Sequence, residues 1–183
     1  MPSKATNQDA SGFLTRLNGE SPRSRIILAS GFLEELLRCA ILSRLADNKS
    51  SKSLFGDDST FGLTILAKYA HALGLIGAEE FDALKKLARA RNAIAHSWST
   101  DFTTPAVQKI ARSIQFVVIQ GENEMAEHQK CFARLDYLGV YLTEELLNRF
   151  EKTPPTVYEG GNFAGKLVVQ PRTGKHEFTI APS

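Results

Sequence analysis

Cysteine is scarce in this sequence. The 183 residues include two cysteines, Cys39 and Cys131, and both fall in strongly helical stretches with no metal ligands at a recognisable spacing around them. A disulfide framework and a metal site are therefore not expected. Both thiols are expected to be small buried apolar groups in a protein of the reducing cytoplasm.

Long apolar runs and a strong excess of one charge are also missing. Nowhere do about 18 apolar residues follow one another, and the polar start of the chain lacks the apolar core of a signal peptide, so neither membrane spanning nor export is indicated. Lys and Arg number 22 against 20 Asp and Glu, a net charge of +2. Proteins that depend on phosphate contacts usually carry a larger excess, but this balance leaves nucleic acid open as a partner.

Sequence signatures of enzyme and cofactor chemistry are absent too. The sequence contains no nucleophile elbow, no glycine-rich phosphate loop and no paired carboxylate motif. No bound cofactor is therefore expected.

The length and the 43% apolar content suit one well-buried domain with tails. Residues 1–20 are polar and predict a flexible N-terminal arm, whereas 21–152 predict a helical bundle. Residues 153–183 are rich in Pro, Gly and β-branched residues and form a C-terminal tail. Within this tail, 166–170 and 176–180 could pair as a β-hairpin.

Apolar residues recur at helical spacing along the central domain. The first stripe follows Ser21-Pro22, a cap and a first-turn proline, and a polar loop over 47–59 separates it from the second. Five amphipathic helices without an alternating strand between them predict an all-α, up-and-down bundle. The stripes run from Ile26 to Ile41, Phe61 to Leu73, Ala78 to His96, Pro105 to Val118 and Phe132 to Phe150.

One charged side chain stands where a helix should be apolar. On a helical projection of the segment from Ala78 to His96, Arg91 falls in the middle of the apolar face. An unpaired guanidinium there would be costly, since breaking a buried ion pair costs on the order of 3–5 kcal/mol. Glu34 and Glu35 are candidate counter-charges, although Glu34 could instead pair with Arg38. The alternative to a functional site is a purely structural ion pair between the helix of Arg91 and the first helix, which carries Glu34 and Glu35.

Other polar residues surround Arg91 in sequence. Asn92 and His96 are four apart and share a helix face with Arg89, but Arg91 and His96 lie roughly 140° apart on a straight helix. To act on one ligand, they need the helix to end between them or two copies of the motif to meet in a dimer.

A basic patch precedes Arg91. Lys85, Lys86 and Arg89 form it, with little aromatic interleaving, and predict either a solvated face or a groove that follows phosphates. Trp98 is expected to be an anchor in the core or at an interface.

The run Arg91-Asn92-Ala-Ile-Ala-His96 resembles the Arg-x4-His motif of the HEPN superfamily, small helical bundles that include RNA-cleaving toxins and non-catalytic relatives. This resemblance implies a metal-independent endoribonuclease with its site in a cleft between two subunits. His96 would act as acid/base or orient the 2′-hydroxyl, Arg91 would steady the phosphate, and Asn92 would orient the cleft.

A broader resemblance covers residues 23–150. The segments SRIILASGFLEELLRCAILSRL, LFGDDSTFGLTILAKYAHALGLI and LKKLARARNAIAHSW look like the mannitol operon repressor family of bacterial transcription regulators. This resemblance implies a non-enzymatic module that acts through protein contacts, as a homodimer or with another protein. No helix-turn-helix is recognisable, so direct DNA binding is less favoured than a protein partner. The regulatory reading leads, and the ribonuclease is its alternative.

Overall fold

The computed structural model describes residues 7–45, 48–55, 61–95, 101–152 and 167–169. Within these residues the chain forms seven α-helices, one 3₁₀ turn at Glu122–Glu124 and two three-residue strands. The helices are α1 (Asn7–Leu17), α2 (Pro22–Leu42), α3 (Lys49–Phe55), α4 (Leu63–Ala72), α5 (Ala78–Ala95), α6 (Pro105–Arg112) and α7 (Glu127–Lys152), and the strands are β1 (Val117–Ile119) and β2 (Leu167–Val169).

The helices form the all-α bundle that the apolar stripes predict. Helix α2 packs against α4, α5 and α7, and α5 also packs against α4, α6 and α7. The predicted faces of α2 and α7 are buried, as Leu33, Leu37, Leu135 and Leu142 have no exposed area. The core is therefore built by the long helices around α2, while the shorter helices cover it.

The predicted helix boundaries are confirmed where a specific cap sets them. Ser21 caps α2, because its Oγ accepts a hydrogen bond from the Ser24 N–H at 3.2 Å, and Pro22 follows in the first turn. Gly74 has a φ of 68°, a left-handed conformation in which glycine is unstrained, and it follows the end of α4.

The prediction of a flexible arm over 1–20 is wrong for 7–17, which form α1. Leu17 is buried, and the ring of Phe13 stacks on Phe32 of α2 with centroids 4.2 Å apart. Arg25 also holds the end of α1, since its Nη1 donates to the Leu17 carbonyl at 3.1 Å. Few apolar residues occur in this segment, but those few meet a complementary surface, which composition alone does not reveal.

Two further segments differ from the prediction. The polar loop over 47–59 contains α3, which is anchored by the buried ring of Phe55. The helix that begins at Pro105 ends at Arg112 instead of continuing to Val118, and β1 follows. Burial of the β-branched Val117 and Ile119 favours an extended backbone over another helical turn.

The tail contributes a strand, but not through a hairpin among the described residues. Residues 167–169, inside the predicted strand 166–170, pair in parallel with β1, with Val117 opposite Leu167 and Ile119 opposite Val169. The second arm of the predicted hairpin, 176–180, lies outside the described residues. The small parallel pair corrects the expectation of a bundle without strands between its helices.

None of the helices in the described part of the chain is both long and apolar enough to cross a bilayer.

Candidate functional site

The site begins where α2 meets the first turn of α4. Gly62 precedes α4 in an extended conformation and has no side chain that could cap the helix. Glu34 of α2 supplies the cap instead, because its Oε1 accepts a hydrogen bond from the Leu63 N–H at 2.9 Å. A carboxylate at this position satisfies one of the helix's unpaired donors and also interacts favourably with the helix dipole. Glu34 therefore fixes how α4 sits on α2.

Beside this cap lies a cavity of about 230 Å³ that Arg91 of α5 enters. Arg91 is half-buried, and its Nη1 donates to Asn92 Oδ1 at 3.0 Å. Its Nε is enclosed by protein and has no hydrogen-bond partner among the described residues, as is also true of the Nε atoms of Arg38 and Arg44. The lining combines the acid, the guanidinium and an amide with small and aliphatic groups: Glu34, Gly62, Leu63, Thr64, Ile65, Ala88, Arg91 and Asn92.

The ion pairs expected for Arg91 are not formed among the described residues. Glu34 lies in the same cavity, but the salt bridges found do not join it to Arg91, and its Oε1 serves the α4 cap. Glu35 pairs with Arg38, whose Nη1 lies 2.7 Å from Glu35 Oε2. Arg91 therefore sits at the edge of the buried face of α5, where its stem packs and its head reaches the cavity.

The predicted basic patch does not extend the cavity. Lys86 is held by Asp82 at 2.8 Å and by the Ser113 carbonyl at 3.0 Å, where it caps the end of α6. The Lys85 ammonium lies 5.1 Å from the ring centroid of Phe81. Arg89 is exposed and is not part of the cavity lining. These cations are therefore dispersed along α5 and stabilise the bundle locally.

Two predicted site residues, His96 and Trp98, lie outside the described residues, which in α5 end at Ala95. Of the predicted cluster, the cavity thus brings together Arg91, Asn92 and Glu34. In the described part of the chain, no group of three or more His, Cys, Asp or Glu side chains could hold a metal ion.

The sequence reading missed the outer face of α4. Ile65 is 37% exposed and Tyr69 is 44% exposed, one turn apart on the same side of the helix. The Tyr69 ring contacts Phe55 and Phe61, with centroids 5.0 and 6.0 Å away, and Ile65 lines the Arg91 cavity. The sequence did contain a signal for this surface. Ile65 and Tyr69 are large apolar residues four apart, and they lie off the buried stripe that contains Leu63 and Leu66. We call Ile65, Tyr69 and the adjoining Arg91 cavity the α4 surface.

A second cavity, of about 260 Å³, lies between α6 and α7 and differs in its electrostatics. Its cations are already satisfied by acids, because Arg112 Nη2 lies 2.9 Å from Glu127 and Arg134 Nη2 lies 2.7 Å from Glu122. The same exposed Glu127 also pairs with Lys130 at 3.3 Å. Because acids of the chain already neutralise Arg112, Lys130 and Arg134, this cavity is less suited to bind an external acidic group. We therefore regard the α4 surface as the better candidate site.

Comparison with known proteins gives no match, whether the chain is compared with protein-family models, with curated proteins or with solved structures.

Proposed function

We propose that this protein is a non-catalytic, transcription-related regulator of the cytoplasm that acts by binding another protein chain at its α4 surface. The observation that carries this proposal is the pair of exposed apolar side chains, Ile65 and Tyr69, beside a cavity lined by Arg91, for which the described residues supply no acidic partner. The resemblance to the mannitol operon repressor family, a family of regulators, agrees with this class of function.

The composition of this surface is typical of a binding hot spot. Tyr and Arg are enriched among the residues that dominate binding energy, particularly where an apolar contact surrounds a polar anchor. A partner that places a carboxylate in this cavity would form a charge-assisted hydrogen bond with the Arg91 guanidinium, and such a bond contributes about 1.5–3 kcal/mol. The apolar contacts of Ile65 and Tyr69 would exclude water from this hydrogen bond. The surface thus suits a protein partner better than a small charged ligand.

The experiment is a replacement at the natural locus followed by measurement of transcript levels. Tyr69→Lys and Arg91→Met should each reproduce the transcript changes caused by deletion of the gene. Leu28→Lys is the matched control, because Leu28 is also a large exposed side chain, at 41%, but belongs to neither the cavity nor the α4 surface. Wild-type transcript levels in both α4-surface variants, with normal amounts of folded protein, would contradict the proposal.

A metal-independent ribonuclease is the second candidate, and the meeting of Arg91 and Asn92 in one cavity favours it. Both side chains line the cavity beside the first turn of α4. Since the Glu34 carboxylate already caps that helix end, Arg91 is the group that would hold a phosphate. If the chain cleaves RNA, its expression should slow growth, and His96→Ala should relieve the effect. Equal growth with both proteins, together with intact RNA after incubation in vitro, would exclude this candidate.

A further inference from the structure

Strand β1 is held in place by the bundle itself. Val117 and Ile119 are 1% and 4% exposed and belong to the main core, and β1 packs against α7. Phe116, just before the strand, lies with its ring centroid 6.1 Å from that of Tyr141 on α7. The exposed Val118 alternates with its buried neighbours, as a half-buried strand requires. The side chains of β1 therefore pack against α7 and the bundle core on one face of the strand, in addition to its backbone pairing with β2.

The partner strand is short and follows a long connecting segment of the chain. Strand β2 contributes three residue pairs, and residues 153–166 connect it to the end of α7 at Lys152. Two short strands are marginal in water by themselves, and parallel pairing is slightly weaker per residue than antiparallel pairing. The acceptor strand is thus preformed, whereas its occupant is short and tethered by a long connection.

We propose that β1 is a strand-acceptor edge for an extended peptide of a partner protein, and that Leu167–Val169 occupies this edge as an exchangeable internal ligand. Addition of a strand to an exposed sheet edge is a general mode of peptide recognition, in which backbone hydrogen bonds provide affinity. The proposal concerns a different surface from the α4 surface and does not depend on it.

The chain's own segment indicates the chemistry of the partner peptide. Its strand is the aliphatic triplet Leu-Val-Val, and basic residues flank it in sequence at Lys166 and Arg172. The acceptor strand leads into a turn that contains the exposed acid Glu124, whereas Glu122 of the same turn already pairs with Arg134. The partner peptide should therefore carry an aliphatic, partly β-branched triplet between basic residues, aligned parallel to β1.

Tethering sets the size of the expected effect. A tethered segment acts at an effective concentration of about 1 mM. If its own Kd for β1 is about 100 µM, it lowers the apparent affinity of a competing peptide roughly tenfold. Release of β2 from β1 should therefore raise the apparent affinity for the peptide about tenfold.

The test uses the full chain and a fluorescently labelled synthetic peptide, AGKLVVQPR, which copies residues 164–172. In the release variant, Leu167→Pro/Val168→Pro, one of the two prolines must remove a ladder N–H, because successive N–H groups of a strand point to opposite edges. A second release variant, with glycine at 167, 168 and 169, weakens β2 without proline. We expect both variants to bind the peptide about ten times more tightly than the wild-type chain, as measured by fluorescence anisotropy.

The control peptide carries the same two prolines and should bind none of the proteins. Circular dichroism should show unchanged helix content in both release variants, since β1 is held by the bundle. No binding of AGKLVVQPR to either folded release variant would overturn the proposal. Equal binding of AGKLVVQPR and the proline peptide would overturn it as well.

Discussion

Replacing Arg91 with methionine tests whether Arg91 stabilises the fold or serves mainly to bind a partner. Methionine retains much of the apolar stem and removes the enclosed Nε, whose missing partner costs about 1–3 kcal/mol. The change also removes the hydrogen bond from Nη1 to Asn92 Oδ1, which contributes about 0.5–1.5 kcal/mol. Taken together, these two effects predict that Arg91→Met changes the free energy of unfolding by an amount between a loss of about 0.5 kcal/mol and a gain of about 2.5 kcal/mol.

The assay is equilibrium unfolding in urea, with the free energy extrapolated to water and thermal unfolding as a second measurement. Arg25→Met is the matched control, because Arg25 is an arginine with a buried acidic partner. Its Nε and Nη2 donate to the two carboxylate oxygens of Asp136 at 2.8 and 2.6 Å, and both side chains are less than a tenth exposed. Breaking that pair should cost about 3–5 kcal/mol. A similar loss in Arg91→Met would refute our reasoning, since it would make Arg91 a structural ion-pair residue.

Three further predictions concern the scaffold. Glu34→Ala should lower the free energy of unfolding by about 0.5–2 kcal/mol because the Leu63 N–H loses its cap, and Glu34→Gln, which keeps an acceptor oxygen, should lose clearly less in the same urea assay. Burial raises the pKa of the Cys131 thiol to about 11. At neutral pH, Cys131 should therefore react with a thiol reagent much more slowly than the half-buried Cys39, and the two single Cys→Ser variants allow each rate to be measured separately. Burial also raises the pKa of Tyr137 to about 12, so the folded state favours the neutral phenol; stability should fall as the pH rises from about 10 through 12, and Tyr137→Phe should remove that part of the fall in unfolding experiments at alkaline pH.

The long helices could be predicted because each one carries its own signal. Ser21 and Pro22 mark the start of α2, Gly74 follows the end of α4, and an apolar stripe runs along most of α7. The missed elements depend on tertiary contacts instead. Helix α1 owes its place to Phe13 and Leu17 against the bundle, and α3 has a single buried ring at Phe55. Such short segments do not have enough periodicity to be recognised in sequence.

The candidate site could be predicted only in part. The position of Arg91 in the apolar pattern of its helix identified it as unusual, and Glu34 was recognised as an acid on the facing helix. That Glu34 would cap α4 rather than neutralise Arg91 depends on where Gly62 leaves the helix without a cap, a long-range contact that no local pattern encodes. The exposure of Tyr69 likewise follows from how α4 sits on its neighbours.

Site-specific photo-crosslinking tests the central claim most directly. A photoreactive amino acid is placed at Tyr69 of the full chain in the cells that naturally make it, with the same group at Leu28 as the control. We predict one dominant protein adduct from position 69, either a second copy of the chain or a different protein, which is absent from position 28 and is lost when Arg91→Met is added. An adduct that forms equally from both positions, or one from position 69 that persists in Arg91→Met, would contradict the account.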